Sequence, residues 1–307
     1  MRADEPDPQV QAVLRQLESL GVPDLSTLAV DDARDLFETM AATASYDAAV
    51  EAEDRIIDGP GGDLPIRLYR PDGGAGRTTV FFHGGGFVLG NLDTHDALTR
   101  ALADRLETDV VAVDYRRAPE HPFPAAVHDA AAAVEWAAGR ADLAGEHLLV
   151  AGDSAGGTLS AVVSLLARDR HGPAIDYQAL FYPAASPRDD WPSMTDEETG
   201  LFLSTDEVAW FGEQYVADPL DAANPYAFPL NACEFADLPP ASVVTGGFDP
   251  LHDEGAAYAT ALREAGLPVA HHDYPAMIHG FVSMVDRVDV ALEAIDAVAE
   301  NLHETLS

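Results

Sequence analysis

The chain contains no lysine: all 17 of its basic residues are arginine. It has a single cysteine, Cys233, which excludes an intrachain disulfide and fits a reducing compartment. None of its apolar runs approaches the ~20 residues that a membrane-spanning helix needs. Residues 1–6 are acidic and lack the apolar stretch of a signal peptide. We therefore expect a cytoplasmic protein without a membrane span.

Positive charge is scarce beside the 53 acidic residues, which give the 307-residue chain a net charge of -36. The acids are spread along the chain and 47% of the residues are hydrophobic, so a disordered acidic chain is excluded. Such charge opposes a compact fold unless counterions screen it, and the screening length is only ~3 Å at 1 M salt. Phosphates would be repelled, which argues against a nucleic acid partner. The composition resembles that of proteins from salt-accumulating haloarchaea and predicts a salt-adapted surface.

Strand and helix patterns alternate from about residue 50 onward. Apolar runs bounded by turn residues predict strands at 51–58, 64–70, 78–83, 109–115, 147–152, 177–182, 241–246 and 268–274. Helical spacing predicts helices within 8–45 and at 94–107, 124–139, 154–170, 253–266 and 287–303. The run GPGGD at 59–63 predicts that the first two strands form a hairpin. This order predicts an α/β fold with a mostly parallel sheet covered on both faces.

One stretch interrupts the alternation. Residues 185–235 lie between two predicted strands and carry several aromatic side chains among prolines and acids. An excursion of this length inside an α/β domain is usually a lid or a binding insertion. Packing explains some of these aromatics, and the sequence does not show which of them line a pocket.

A candidate nucleophile lies in the run GDSAG at 152–156, between a predicted strand and a predicted helix. A strand–turn–helix context is what a nucleophile elbow requires, and Gly152 and Gly156 leave room for the sharp turn. The hydroxyl of Ser154 would then stand clear of the sheet. Because a serine hydroxyl is a weak nucleophile, it needs a base that is itself oriented by an acid.

The base and the acid are sought in the loops that follow later strands. His279 lies in a loop after the last predicted strand, from which an imidazole can reach the carboxyl edge of the sheet. Asp249 closely follows the strand at 241–246, where its carboxylate can accept from the imidazole. Asp253 and Glu254 compete for this role, but acids at these positions are typical of the first turn of a helix. We predict Asp249 as the acid and His279 as the base.

An oxyanion needs hydrogen-bond donors, and the run HGGGF at 83–87 follows a predicted strand. This pattern matches the glycine-rich type of loop that supplies backbone amides, so we predict donors at Gly84, Gly85 and Ala155. The loop lacks the Lys-Ser/Thr ending and the G-x-G-x-x-G pattern of nucleotide sites. We expect no cofactor and no metal.

Five motifs resemble those of the hormone-sensitive-lipase-like carboxylesterases, a branch of the α/β-hydrolases. They occur in the family's order and are HGGGFVLG at 83–90, DYRRAPEHPFPAA at 114–126, GDSAGG at 152–157, DPLHDEG at 249–255 and HGF at 279–281. The resemblance implies an α/β-hydrolase fold with a Ser154–Asp249–His279 triad. It also implies a helical cap made of residues 1–48 and 185–235 over a catalytic core made of 49–184 and 236–307.

The activity that this resemblance implies is cofactor-free hydrolysis of small carboxylic esters with short- to medium-chain acyl groups. Amide or peptide hydrolysis on the same fold stays open, because the sequence hardly separates the two acyl leaving groups. A ligand-binding protein is a further alternative: plant gibberellin receptors look similar in fold, but they lack the triad histidine that is present here as His279. A homo-oligomer is compatible with the sequence, which does not show which surfaces would pair.

Overall fold

The computed structural model describes residues 2–73, 76–140, 142–143, 145–196 and 198–307, in which eight strands form one sheet. All eight predicted strands are present, with ends that differ by a few residues. They are β1 (Val50–Gly59), β2 (Gly62–Pro71), β3 (Arg77–Phe82), β4 (Asp109–Val113), β5 (His147–Asp153), β6 (Tyr177–Phe181), β7 (Ala241–Phe248) and β8 (Val269–Ile278).

The strands are arranged in the order β1-β2-β4-β3-β5-β6-β7-β8. The predicted hairpin is confirmed: β1 and β2 pair antiparallel, and Gly59 faces Gly62 at the closed end. β2 also pairs antiparallel with β4, whereas the pairs from β4 through β8 are all parallel. The carboxyl ends of six strands therefore lie along one edge of the sheet, where α/β folds place their ligand sites.

Helices cover both faces of the sheet. Within the described ranges they are α1 (Pro8–Leu20), α2 (Val30–Ala41), α3 (Asp96–Arg105), α4 (Ala125–Ala138), α5 (Ala155–Arg170), α6 (Pro192–Thr195), α7 (Thr205–Tyr215), α8 (His252–Glu264) and α9 (Asp289–Thr305). Helices α3 and α9 pack on one face, and α4, α5 and α8 pack on the other. Successive residues of β3 serve opposite faces: Val80 joins the α4–α5 side and Phe81 the α3–α9 side. This double cover explains why the central strands are apolar throughout.

The N-terminal helices contact the 185–235 segment, which contains α6 and α7. Ser204, at the start of α7, donates its hydroxyl to Asp24 at 2.7 Å, and Glu207 accepts from the Leu25 amide at 2.9 Å. Ser204 and Glu207 also form a capping box that begins α7. The two segments assigned to a cap thus touch each other, while the predicted domain boundaries stay a prediction. No helix in the described part of the chain is long and apolar enough to cross a membrane.

Candidate active site

The turn between β5 and α5 holds Ser154 in a strained conformation, with φ 54° and ψ -120°. Its amide donates to the carbonyl of Phe181 at 2.8 Å, which ties the turn to the neighbouring strand β6. A Cβ atom at Gly152 would run into the carbonyl of Gly156, and one at Gly156 would run into the carbonyl of Phe82. Glycine at both positions therefore allows a turn tight enough to present the Ser154 hydroxyl at the edge of the sheet.

His279, directly after β8, lies between the serine and a carboxylate. Its Nε2 is 2.9 Å from Ser154 Oγ, and its Nδ1 is 2.8 Å from Asp249 Oδ2. Since a carboxylate only accepts hydrogen bonds, Nδ1 donates to Asp249 and Nε2 is left to accept from the serine hydroxyl. This is the geometry that a general base for Ser154 needs.

Asp249 follows β7 and is completely buried. Its second oxygen, Oδ1, accepts from the amide of Leu251 at 2.8 Å, so both carboxylate oxygens are held. The two competing acids lie in the first turn of α8, as the sequence predicted. Asp253 accepts from the Ser193 amide and Glu254 from the Ala185 amide, so both serve other parts of the fold.

Tyr182, which the sequence did not single out, packs against His279. Its ring centroid lies 4.7 Å from that of His279, at an interplanar angle of 59°. Its backbone has φ 38°, which is uncommon for a bulky residue, and its amide donates to Val244. Burial raises the pKa of the Tyr182 phenol well above its ordinary value, so the group stays neutral. Nothing in the local sequence distinguishes this tyrosine from an ordinary core residue.

The glycine-rich loop after β3, residues 83–90, is named the oxyanion loop for the role that the sequence predicts for its amides. The amide of Gly84 donates to Asp153 Oδ1 at 2.9 Å, and Gly84 does not line the cavity over Ser154. The expectation that Gly84 supplies a donor therefore needs correction, because this amide is already used. Gly85, Gly86 and Ala155 do line the cavity, and among the described residues their amides have no acceptor. The structure offers Gly86 in place of Gly84.

Buried side chains fix the first half of this loop. His83 Nδ1 lies 2.8 Å from the Gly84 carbonyl, and Tyr115 donates its hydroxyl to the His83 carbonyl at 2.7 Å. Burial lowers the pKa of His83 to about 3, so its imidazole is neutral near pH 7 and does not act as an acid. Burial alone would raise the pKa of Asp153, but nearby His95 and the Gly84 amide hold it below its ordinary value. The anchor of the Gly84 amide is therefore a carboxylate.

A cavity of about 1570 Å³ opens above Ser154. Its lining is mainly apolar and includes residues from α1, α2 and the 185–235 segment, such as Leu14, Leu17, Phe37, Met40, Phe202 and Phe211. Of the aromatics in that segment, Trp191 and Trp210 are not part of the lining in the described structure; Trp210 packs beside Phe211 instead. The cavity can hold an apolar ligand with its reacting atoms at Ser154. Among the described residues, no group of His, Cys, Asp or Glu side chains is placed to hold a metal ion.

Comparisons with known proteins give the family. A family model described as alpha/beta hydrolase fold matches residues 79–283. The carboxylic ester hydrolase LipN of Mycobacterium tuberculosis is 42% identical over 297 residues, covering 91% of this chain and 77% of LipN. The ethyl acetate hydrolase of Pseudomonas putida is 35% identical over 317 residues, covering 98% of this chain and 99% of that protein.

A solved structure extends the likeness to the whole fold. The hyperthermophilic esterase from Pyrobaculum calidifontis matches with a TM-score of 0.90 and 39% sequence identity, and the match covers 98% of each chain. The chain therefore belongs to the α/β-hydrolase-fold family and is a carboxylesterase.

Proposed function

We propose that the enzyme hydrolyses esters through an acyl-enzyme formed on Ser154. Ser154 Oγ attacks the acyl carbon while His279 Nε2 takes the hydroxyl proton, and Asp249 stabilises the resulting imidazolium. His279 then gives this proton to the leaving alcohol. In the second half, His279 takes a proton from water as the water oxygen attacks the acyl carbon, and His279 then returns this proton to Ser154 Oγ as the carboxylic acid leaves.

The observation that carries this proposal is the pair of contacts made by His279, 2.9 Å to Ser154 and 2.8 Å to Asp249. Both distances are within the range of a functional base and its orienting acid. We assign the oxyanion to the free amides of Gly85, Gly86 and Ala155. Each such donor is worth ~3–4 kcal/mol of transition-state stabilisation.

The proposed substrates are esters with short- to medium-chain acyl groups. The lining of the cavity above Ser154 is mainly apolar, which suits the alkyl chain of an acyl group. The net charge of -36 without any lysine supports adaptation to high salt. The single cysteine, exposed on the surface, supports a reducing, cytoplasmic setting.

The test is a series of 4-nitrophenyl esters of increasing acyl length, measured in about 2 M KCl, where charge repulsion is screened. We expect turnover that peaks at short to medium chains and falls for long ones. Ser154→Ala should lose about a million-fold in kcat while its circular dichroism spectrum is unchanged. Substantial ester turnover by the purified Ser154→Ala protein would refute the mechanism, and faster cleavage of a matching 4-nitroanilide would point to amides instead.

A further inference from the structure

Arg34, in the second turn of α2, reaches from the N-terminal helices to the oxyanion loop. Its Nε donates to the carbonyl of Val88 at 3.0 Å, and its Nη2 donates to the carbonyl of Ala118 at 2.9 Å. The same guanidinium binds the carboxylate of Glu120 in a fork, with distances of 2.8 and 2.7 Å. Four of the five N–H donors of the side chain are thus used at one place.

The contact with Val88 continues to one of the free donors. The amides of Val88 and Leu89 both donate to the carbonyl of Gly85, at 3.0 and 2.8 Å. A chain of hydrogen bonds therefore runs from Arg34 through the Val88 peptide to Gly85. A shift of the Val88 carbonyl would be passed to the planar Gly85–Gly86 peptide, which carries the free amide of Gly86, a residue that lines the cavity.

Apolar packing joins the same parts. Ala33 of α2 is completely buried and belongs to one cluster with Val88, Leu89 and Ala118. Phe211 of α7 packs against this cluster, and a Cβ atom at Gly86 would collide with its ring. The second half of the oxyanion loop is therefore enclosed by elements outside the α/β core.

Arg34 itself does not touch the reacting atoms. It lines a separate polar cleft of about 310 Å³ and is absent from the lining of the cavity over Ser154. Any effect on the reaction must therefore act through the loop. The first half of the loop has its own anchor in Asp153. The contacts of Arg34 hold the second half together with the Ala118 amide, which donates to the Phe87 carbonyl at 2.9 Å, and Arg117, whose Nη1 donates to the Gly90 carbonyl at 2.6 Å.

We propose that Arg34 is a positioning residue that couples helix α2 to the oxyanion hole by fixing the Val88 peptide and, through the Gly85 carbonyl, the Gly86 amide of the same planar peptide. The inference rests on the proposed function of that amide. When α2 is packed in place, Arg34 keeps the donors in their productive positions. When α2 is displaced, the Val88 carbonyl loses its hydrogen bond to Arg34. Lysine cannot replace arginine here, because a single ammonium cannot reach two carbonyls and a carboxylate in this planar arrangement.

The chain offers a matched control in Arg168. Its Nη1 donates to the carbonyls of Glu234 and Ala236, both at 3.0 Å, and its guanidinium pairs with Asp169 at 2.8 Å. The two side chains are equally buried, with 18% exposure for Arg34 and 21% for Arg168. Arg168 contacts neither the oxyanion loop nor the cavity lining in the described structure. Arg168→Met therefore removes the same kinds of contact without touching the site.

The experiment compares Arg34→Met, Arg34→Lys and Arg168→Met with the unaltered enzyme in about 2 M KCl. The readouts are kcat and KM for 4-nitrophenyl butyrate, and the inhibition constants of an alkyl trifluoromethyl ketone and its methyl ketone analogue. Ser154 Oγ adds to the carbonyl carbon of the trifluoromethyl ketone and so places an oxyanion in the hole. The methyl ketone binds mainly as a ground-state analogue.

We expect Arg34→Met to lower kcat about ten- to a hundred-fold, with KM changed by no more than about two-fold. The preference for the trifluoromethyl ketone should fall by a similar factor. In Arg34→Lys, kcat and the inhibitor preference should also fall, but by smaller factors. This variant serves as the test if Arg34→Met does not fold. Arg168→Met should leave kcat and the inhibitor preference unchanged, whatever its melting temperature.

Unchanged kcat and inhibitor preference in the Arg34 variants would overturn the inference, as would an equal loss in Arg168→Met. A Ser154→Ala sample measured beside them distinguishes a failure of the proposed function from a failure of the role proposed for Arg34. If that sample still turns over ester, the proposed function fails; if it is inactive while the Arg34 variants behave as the unaltered enzyme, only the role of Arg34 fails.

Discussion

Gly84 and Gly86 stand two residues apart in one glycine run, yet their amides point to different partners. The amide of Gly84 is taken by Asp153, while Gly86 lines the cavity. The sequence shows only that amides of this loop are candidates, because the acceptor comes from the end of β5, some 70 residues later. Which glycine amides stay free depends on how the two strand ends pack. The sequence therefore predicted Gly84, Gly85 and Ala155 as donors, whereas in the structure the Gly84 amide binds Asp153 and Gly86 is the free one.

Asp249→Asn tests the assigned acid. The amide has nearly the same shape, but it can donate to His279 Nδ1, which favours the wrong tautomer and removes the charge that stabilises the imidazolium. We expect kcat for 4-nitrophenyl butyrate to fall by about 10⁴ near neutral pH, with KM little changed. Steady-state kinetics in molar KCl measures the change.

Asp253→Asn is the control for this variant, since Asp253 is one of the two acids that compete for the role in the sequence and contacts Ser193 and His252 instead. Its kcat should stay within about two-fold of the unaltered enzyme. A large loss in Asp253→Asn together with a small one in Asp249→Asn would reverse the assignment.

At the scale of elements, the strands were predictable and the short helices of the 185–235 segment were not. Buried parallel strands are continuous apolar runs, and such runs are visible without tertiary context. Helices α6 and α7 lie among prolines and exposed acids. Trp210 and Phe211 of α7 pack against the N-terminal helices, whereas α6 contacts α8, where Asp253 accepts from the Ser193 amide. One local signal was available: Ser204 and Glu207 have the spacing of a capping box, which correctly places the start of α7. The role of Arg34 could not be read in advance, because its three partners lie 54 to 86 residues away.

The contact between α8 and β8 contains a titrating group. His252 begins α8, with Nε2 3.2 Å from Asp273 of β8 and Nδ1 2.9 Å from Asp253. The hydrogen bond to Asp273, followed by that to Asp253, raises the pKa of His252 above 6.5. A raised pKa in the folded state means that protonation stabilises the fold. This contribution to the free energy of unfolding is fully present below the ordinary pKa of histidine. It is lost as the pH rises through the raised pKa that His252 has in the folded state.

His252→Gln should therefore lower the free energy of unfolding by about 1 kcal/mol at pH ~5.5 and by less at pH ~9. Urea unfolding in molar KCl at both values measures the difference. His128→Gln is the control, because His128 is exposed and has no ion pair within the described ranges. An equal loss for His252→Gln at both pH values would show that the charged form of His252 contributes nothing.

At the scale of the whole molecule, charge and fold are in conflict. Arginines form ion pairs with several surface acids. Arg67, for example, lies within ion-pair distance of Asp54, Asp93 and Asp96. Exposed pairs of this kind contribute little, about 0–1 kcal/mol each, and cannot balance a net charge of -36. The stability of the fold should therefore depend on the solvent through the repulsion among surface acids.

Thermal melts in KCl test this dependence. Between about 0.1 M and 2 M salt the screening length falls from ~10 Å to below ~3 Å, so the melting temperature should rise steeply with KCl. General salt effects on burial would also raise it, so a charge variant is needed to separate the two causes. Amide substitutions at six exposed acids far from the triad are suitable, and these are Glu51, Asp58, Asp63, Glu107, Glu135 and Glu146.

The six-site variant should be more stable than the unaltered enzyme at about 0.1 M KCl, by on the order of 2 kcal/mol if each exposed charge costs about 0.3 kcal/mol. At about 2 M KCl the two proteins should melt together, because screening removes the repulsion that the substitutions relieve. A constant difference at every salt concentration would assign the effect to the substituted side chains themselves. A melting temperature of the unaltered enzyme that does not respond to KCl would contradict salt adaptation. It would show that screening of the acidic surface by counterions does not change the stability of the fold.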